Sequence, residues 1–211
     1  AVFTDTMITA SNDLDEATIL NLKAQGAKID MWGVGTKLIT AYDQPALGAV
    51  YKMVSIEDED GRMVDTIKIS ANPEKVTTPG MKKVYRIINK ETKKSEGDYI
   101  TLDFENPAEE NTLTMFHPVH TFMCKEVTNF DAVPLHENIF VNGELVYETP
   151  DLADIQQFAK DNLELLWDEY KRFLNPEKYP VDLSPKCWEN KRVRIQEVQD
   201  YVRKTQIKTK N

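Results

Sequence analysis

The pattern of hydrophobic and polar positions changes twice along the chain and predicts three kinds of structure in turn. Residues 6–10 have the composition of a strand, and residues 28–32 return as a second strand. Between them, Asn12 or Asp13 is placed to cap a helix that ends at Gly26. An alternation of strand, helix and strand is typical of parallel strands joined by a right-handed crossover. We therefore predict a βαβ unit in the opening block.

The middle of the chain has short apolar runs between polar turns, which predicts mainly antiparallel strands. Candidate strands at 49–56 and 63–69 flank an acidic turn that ends at Gly61, and two more at 83–88 and 99–104 flank the polar turn 89–97. Residues 105–116 are polar and rich in turn residues. A strand at 121–127 follows, and then a hairpin, 138–141 and 144–147, that turns at Asn142 and Gly143.

After Pro150 the apolar residues recur at helical spacing, which predicts helices at the end of the chain. One helix covers residues 152–170 and is broken by Pro176 and Pro180. A last helix starts at Ser184 and Pro185 and runs through residue 198. Trp167 and Trp188 stand among the apolar positions of these helices, so we expect both to be buried between helices. The pattern as a whole predicts an α+β fold.

Composition and charge narrow the classes of function. The 211 residues carry a formal net charge of −9, which argues against a general nucleic-acid or anionic-membrane binder. No apolar run approaches the roughly 20 residues that span a bilayer. The two cysteines, Cys124 and Cys187, lie far apart and favour a reducing, cytoplasmic setting. Because the chain opens with Ala1 and enters a strand pattern almost at once, we expect a further portion upstream.

Two polar loops are the candidate ligand site. Ser11, Asn12 and Asp13 follow the first strand, and Gly33, Val34, Gly35 and Thr36 follow the second. Both loops would then lie at the carboxyl ends of neighbouring parallel strands, where α/β barrels bind phosphate through backbone N–H groups. Taken singly, the first loop is a helix cap and the second a tight turn. Because the two loops follow strands joined by a single crossover, we expect them to lie together, and this favours a ligand site.

Metal binding is a weaker interpretation of the remaining polar residues. His117, His120 and Cys124 carry ligand atoms that suit zinc, but a fourth ligand is not evident, and we assign no metal. Asp13 is a candidate for Mg²⁺ carried by a pyrophosphate ligand, whereas Asp15 and Glu16 are better explained as helix-capping residues.

The chain resembles the bacterial nicotinate phosphoribosyltransferases across nearly its whole length. The resemblance rests on motifs at residues 11–16 (SNDLDE), 25–30 (QGAKID), 32–40 (WGVGTKLIT), 45–52 (PALGAVYK) and 75–80 (KVTTPG), and on Ser184 and Pro185. It implies an enzyme that forms nicotinate mononucleotide and pyrophosphate from nicotinate and phosphoribosyl pyrophosphate. ATP and Mg²⁺ are the implied cofactors, with ATP hydrolysis coupled as in a ligase. NAD synthesis is the implied pathway, and the implied assembly is a cytoplasmic homodimer.

The resemblance also implies a division of the chain and a set of site residues. Residues 1–46 would be the last strands of an incomplete α/β barrel, 47–104 a β-rich segment that returns toward an open-faced β domain, and 105–211 a hairpin and helical region. The implied phosphoribosyl and phosphate site consists of Ser11, Asn12, Asp13, Gly33, Gly35 and Thr36.

Catalytic residues cannot be assigned in this chain from the resemblance. The family's phosphorylated histidine, its basic residues for pyrophosphate and its nicotinate pocket belong to an N-terminal half with no counterpart here. We therefore expect this chain alone to be inactive. A non-catalytic module for dimerisation or regulation is the alternative, and a ligand sensor that keeps the phosphate loop without turnover is a third possibility.

Overall fold

The chain divides into two compact units, residues 1–51 and 52–211. The computed structural model describes residues 5–120 and 122–208. Ala1, and Thr121 at the start of one predicted strand, lie outside the described residues. No helix in this described part of the chain is long and apolar enough to cross a membrane.

The first unit is the predicted βαβ arrangement. Its two strands are parallel, with Thr9 opposite Met31 and Ser11 opposite Gly33. The helix prediction was right in place but wrong in its cap, since Asp15 rather than Asn12 or Asp13 accepts a hydrogen bond from the Thr18 N–H at 2.8 Å. The elements are β1 (Thr9–Ser11), α1 (Glu16–Ala24), β2 (Met31–Gly33) and a short α2 (Thr36–Ile39).

The second unit is built on one six-stranded mixed sheet with two separate hairpins. The predicted hairpins at Gly61 and at Asn142–Gly143 are both confirmed, as β3 with β4 and β10 with β11. The order of the large sheet is β8-β7-β12-β6-β5-β9. The strands are β3 (Ser55–Glu57), β4 (Met63–Asp65), β5 (Lys82–Asn89), β6 (Ser95–Leu102), β7 (Thr112–Phe116), β8 (Cys124–Thr128), β9 (Phe130–Pro134), β10 (Phe140–Val141), β11 (Glu144–Leu145) and β12 (Val181–Leu183).

Three strands of the large sheet were missed by the sequence analysis. Residues 105–116 were predicted to be polar and turn-rich, yet they contain β7, whose Leu113 and Met115 are buried. β9 was not predicted, and neither was β12, which lies parallel to β6 and antiparallel to β7. β12 has only three residues, too few for a sequence period, and it is held in place by strands distant in the chain.

Both faces of the large sheet carry a buried cluster. Alternate residues of a strand point to opposite faces, so Tyr99 belongs to one cluster and Leu102 to the other. The larger cluster consists of Tyr85, Ile87, Tyr99, Leu113, Met115, Val127 and Phe130. The smaller one consists of Leu102, Leu183 and Cys187, with Ile100 and Trp188 packed against it.

Helix α5 (Pro185–Lys208) begins where the sequence predicted, and it covers the smaller cluster. The buried Ser184 hydroxyl accepts a hydrogen bond from the Cys187 N–H at 3.0 Å and donates one to Glu105 Oε2 at 2.7 Å. Trp188 stacks on Phe116 of β7, with ring centroids 4.9 Å apart. Trp188 therefore packs between a helix and the sheet, and the prediction that it lies between two helices was wrong.

The helix predicted over residues 152–170 is interrupted after Leu165. It forms α3 (Leu152–Leu165) and a single turn, α4 (Asp168–Lys171), with extended backbone at Leu166 and Trp167. Trp167 is half-buried, and Leu163 on α3 is 53% exposed. No residue of α3 is buried.

A polar network joins α3 to the sheet. The Arg86 guanidinium donates to both carboxylate oxygens of Asp98, at 2.9 and 3.3 Å, and to the side-chain oxygen of Asn162 on α3 at 2.9 Å. The Tyr179 hydroxyl donates to Asp98 at 2.9 Å and contacts the Ser95 hydroxyl at 2.6 Å. The hydrogen bond with Asp98 raises the pKa of Arg86, so this cation stays charged.

The limits of the three predicted segments stay a prediction. The large sheet takes β5 and β6 from before residue 104 and β7, β8, β9 and β12 from after it.

Candidate phosphate-binding site

The two predicted loops begin side by side at the carboxyl ends of β1 and β2. Ser11 is the last residue of β1 and stands opposite Gly33, the last residue of β2. A Cβ added at Gly33 would lie 3.1 Å from the Ser11 Cβ and 3.6 Å from the Ala10 carbonyl oxygen. A side chain would thus crowd the neighbouring backbone, so glycine keeps the two strand ends close.

Asn12 and Asp13 turn the chain away from β1 in a left-handed conformation. Their φ angles are +79° and +50°. Asparagine and aspartate adopt this conformation more readily than other residues with a Cβ, because their short side chains can bond to the nearby backbone. Both side chains are exposed, and no described residue forms a hydrogen bond with the Asp13 carboxylate. Asp13 is therefore available to a ligand.

Gly35 and Thr36 form the start of the short helix α2. Gly35 is its N-terminal capping residue, and the Gly35 carbonyl accepts hydrogen bonds from the N–H groups of Leu38 and Ile39 at 3.1 and 3.0 Å. The first N–H groups of a helix have no acceptor within the helix. The surroundings of Gly35 are open, since apart from its chain neighbours no described residue has an atom within 4 Å of an added Cβ. Gly35 and Thr36 are both exposed, so this turn is accessible to an anion.

An ion pair that the sequence analysis missed joins the two loops. Lys37 Nζ lies 2.5 Å from Asp15 Oδ2, while Asp15 Oδ1 caps α1. The hydrogen bond from Lys37, followed by that from Thr18, holds the pKa of Asp15 well below its usual range. The same bond raises the pKa of Lys37. Asp15 is thus engaged in structure, as its interpretation as a capping residue expected.

The roles of the six predicted site residues stay predictions. The structure sets Ser11 directly opposite Gly33, with Asn12 and Asp13 following one strand and Gly35 and Thr36 following the other. Lys37 was overlooked because its partner stands 22 residues earlier, and only the helix-capping pattern at Asp15 could have drawn attention to it.

The histidines considered for a metal have structural contacts. His117 Nδ1 accepts hydrogen bonds from the N–H groups of Val119 and His120, at 3.1 and 2.9 Å. The His117 and His120 rings lie with centroids 4.8 Å apart. Throughout residues 5–120 and 122–208, no group of three His, Cys, Asp or Glu side chains is placed to hold a metal ion.

The fold and the loops define an α+β protein whose βαβ unit exposes glycine and hydroxyl residues at the ends of parallel strands. Comparison with known proteins takes this further. Residues 81–191 match the family described as the nicotinate phosphoribosyltransferase C-terminal domain. The chain belongs to the nicotinate phosphoribosyltransferase family and represents its C-terminal portion.

Individual relatives agree with this assignment. Nicotinate phosphoribosyltransferase of Bacillus subtilis (strain 168) is 67% identical over 202 residues, which are 96% of this chain and 41% of that protein. The Caenorhabditis elegans protein of the same name is 32% identical over 86% of this chain and 32% of its own length. The chain thus spans about two fifths or less of the curated relatives it matches. The alternative of a separate non-catalytic module is not favoured by these matches.

A solved structure supports the fold. The crystal structure of human nicotinic acid phosphoribosyltransferase aligns with a TM-score of 0.63 at 22% identity, over 86% of this chain and 32% of that one. At this identity the likeness concerns the fold alone.

Proposed function

We propose that this chain is part of an enzyme that joins nicotinate to phosphoribosyl pyrophosphate, forming nicotinate mononucleotide and pyrophosphate with coupled ATP hydrolysis in NAD synthesis. The observation that carries the proposal is the pairing of Ser11 with Gly33 at the ends of two parallel strands. The 67% identity with the Bacillus subtilis enzyme supports it. In this proposal β1 and β2 are the last strands of an incomplete α/β barrel completed by an N-terminal portion.

The proposed role of the six residues is to hold the 5-phosphate and ribose of the ligand. Ser11 and Thr36 offer hydroxyl donors, and Gly33 and Gly35 let the backbone approach an anion closely. The reaction displaces pyrophosphate at a ribose carbon, so it depends on positioning and on electrostatic stabilisation of the leaving group. It needs no nucleophilic side chain from this chain.

The free carboxylate of Asp13 fits a magnesium ion carried by pyrophosphate, because Mg²⁺ prefers oxygen ligands and keeps much of its water. Asp15 does not fit that role, since its two oxygens already bond to Lys37 and Thr18. Bound Mg²⁺ would neutralise charge on the departing pyrophosphate. ATP would be used by residues outside this chain, and the proposed assembly is a cytoplasmic homodimer.

A chimera tests this proposal. The Bacillus subtilis enzyme would have its matching region replaced by residues 5–208 of this chain, and nicotinate mononucleotide would be measured from nicotinate, phosphoribosyl pyrophosphate, Mg²⁺ and ATP. We expect the chimera to turn over and the isolated chain to be inactive. In the chimera, Gly33→Ala should raise the KM for phosphoribosyl pyrophosphate at least about ten-fold, because the added Cβ moves the two loops apart.

Gly48→Ala is the matched control, since beyond its chain neighbours none of the described residues comes within 4 Å of a Cβ added there. It should leave the KM unchanged. A chimera that folds but has no activity would contradict the proposed function, and an unchanged KM in Gly33→Ala would remove these loops from the site.

A further inference from the structure

The second unit contains a cavity that the proposed reaction does not use. Its volume is about 700 Å³, within the range of about 300–1,000 Å³ usual for small-molecule sites. All of its lining residues belong to the unit 52–211. Apolar side chains form much of the wall, among them Met115, Val119 and Val181. Such a cavity can hold an organic ligand the size of a nucleotide.

A buried carboxylate without a partner lines this cavity. Asp182 lies in the middle of β12 and is only 7% exposed. No residue in the described ranges donates a hydrogen bond to its carboxylate, and none forms an ion pair with it. Its carboxylate oxygens are not among the fully buried unpaired atoms of the described residues, so they keep contact with solvent in the cavity and can meet a ligand there. Burial raises the pKa of Asp182, against the opposing effects of Lys125 and His117.

A buried lysine on helix α5 lines the same cavity. Lys191 on α5 is 8% exposed, and its Nζ donates one hydrogen bond, to the Pro118 carbonyl at 3.0 Å. An ammonium group has three donors, so two of the three have no described acceptor. Burial lowers the pKa of Lys191. The wall thus offers a strong acceptor and a strong donor that do not pair with each other.

The charges around the cavity favour an anionic ligand. Lys125, Lys178 and Lys191 line it, against the two carboxylates of Glu74 and Asp182. Lys125 is already paired with Glu96, whereas Lys178 and Lys191 form no ion pair with any described residue. Cations lining a cleft with apolar walls attract and retain anions.

We propose that this cavity binds a small anionic molecule that also carries an N–H donor on a flat apolar body. The donor would bond to Asp182, the anionic group to Lys191 and Lys178, and the body would pack against the apolar wall. Nucleoside monophosphates with an amino group on the base have this chemistry. The site is separate in its residues from the phosphoribosyl site, and its occupancy would be read by binding rather than by turnover.

Calorimetric titration of the 211-residue chain with AMP tests the proposal. Two analogues test the two polar contacts separately. Purine riboside monophosphate lacks the amino group, and adenosine lacks the phosphate. We expect AMP to bind with a dissociation constant below about 1 mM, and each analogue to bind about ten-fold more weakly or worse. Failure of AMP to bind, or equal affinity for either analogue, would overturn the proposal.

Variants of the lining residues test whether AMP binds in this cavity. Asp182→Leu removes the acceptor at similar volume and should weaken AMP binding at least about ten-fold, with Asp182→Asn intermediate. Lys191→Met should weaken AMP but not adenosine. Asp103→Asn is the control, because Asp103 is exposed and lies outside the cavity lining. If Asp182→Leu folds and still binds AMP as the unmodified chain does, the ligand does not lie in this cavity and the proposal is wrong.

Discussion

Replacing Arg86 by methionine should destabilise the second unit more than any surface change of charge. Arg86 and Asp98 are 19% and 14% exposed, and Arg86 also bonds to Asn162 on α3. Removing one partner of a fully buried pair costs about 3–5 kcal/mol. Because both side chains keep some contact with water, we expect a loss of about 2–3 kcal/mol in the free energy of unfolding. That corresponds to a decrease in Tm of about 5–10 °C for a domain of this size.

The assay is urea unfolding followed by tryptophan fluorescence. The chain has three tryptophans, and a Trp32→Phe background leaves only Trp167 and Trp188, both in the second unit. The matched control is Lys90→Met, because the Lys90–Asp131 pair is exposed and should contribute less than about 0.5 kcal/mol.

A double-mutant cycle with Asp98→Asn isolates the ion pair from the loss of packing. The cost of the double variant should fall short of the sum of the single costs by about 1–2 kcal/mol. If Arg86→Met costs no more than Lys90→Met, or if the two single costs add, the Arg86–Asp98 pair does not stabilise the second unit.

Three further predictions concern buried groups. Ser184→Ala should lower the free energy of unfolding by about 1–2 kcal/mol in urea, because the cap of α5 and the bond to Glu105 are both lost; a loss below about 0.5 kcal/mol would contradict this. A thiol-specific disulfide reagent at pH 8 should label the exposed Cys124 quickly and Cys187 only on unfolding, since burial raises the pKa of Cys187 to about 11; rapid labelling of both thiols would refute it. Because the pKa of Asp182 is raised in the folded state, stability should decrease as pH rises from the unfolded value through the folded one. Asp182→Asn should reduce that decrease in pH-dependent urea unfolding, and an unchanged pH profile would argue against it.

The local parts of the fold could be predicted from sequence because short-range chemistry determines them. Gly61 and Gly143 both have positive φ at hairpin turns, where glycine is favoured. Ser184 followed by proline is a strong signal for the start of a helix, and α5 begins there. In each case the deciding contacts lie within a few residues.

The order of the large sheet could not be predicted because its contacts are distant in sequence. Leu183 pairs with Ile100 in one direction and with Phe116 in the other. β7 was within reach, since Leu113 and Met115 alternate with polar threonines, but the polar residues before it dominated the prediction. That Asp182 would line a cavity could not be predicted, because aspartate side chains are usually exposed.

The same limit applies to the candidate site. The proximity of the loops after β1 and β2 could be predicted, because consecutive parallel strands end at the same edge of a sheet. The choice of Asp15 as the cap depends on the Lys37 ion pair as well as on local spacing. Asp13 and Asp15 are both aspartates two positions apart. Their roles differ because Asp15 has partners in Lys37 and Thr18 and Asp13 has none among the described residues.

The position of β12 has a consequence for the way the protein is made. During synthesis, β5 to β9 leave the ribosome long before residues 181–183, yet the sheet has β12 between β6 and β7. Until β12 arrives, β7 with β8 and β6 with β5 and β9 have open edges facing each other, which invites wrong pairing and aggregation. We expect the sheet to close late, after a long loop has been ordered, and to fold slowly for that reason. A nascent chain that stalls before residue 181 would be a substrate for chaperones and proteases rather than a partly working domain.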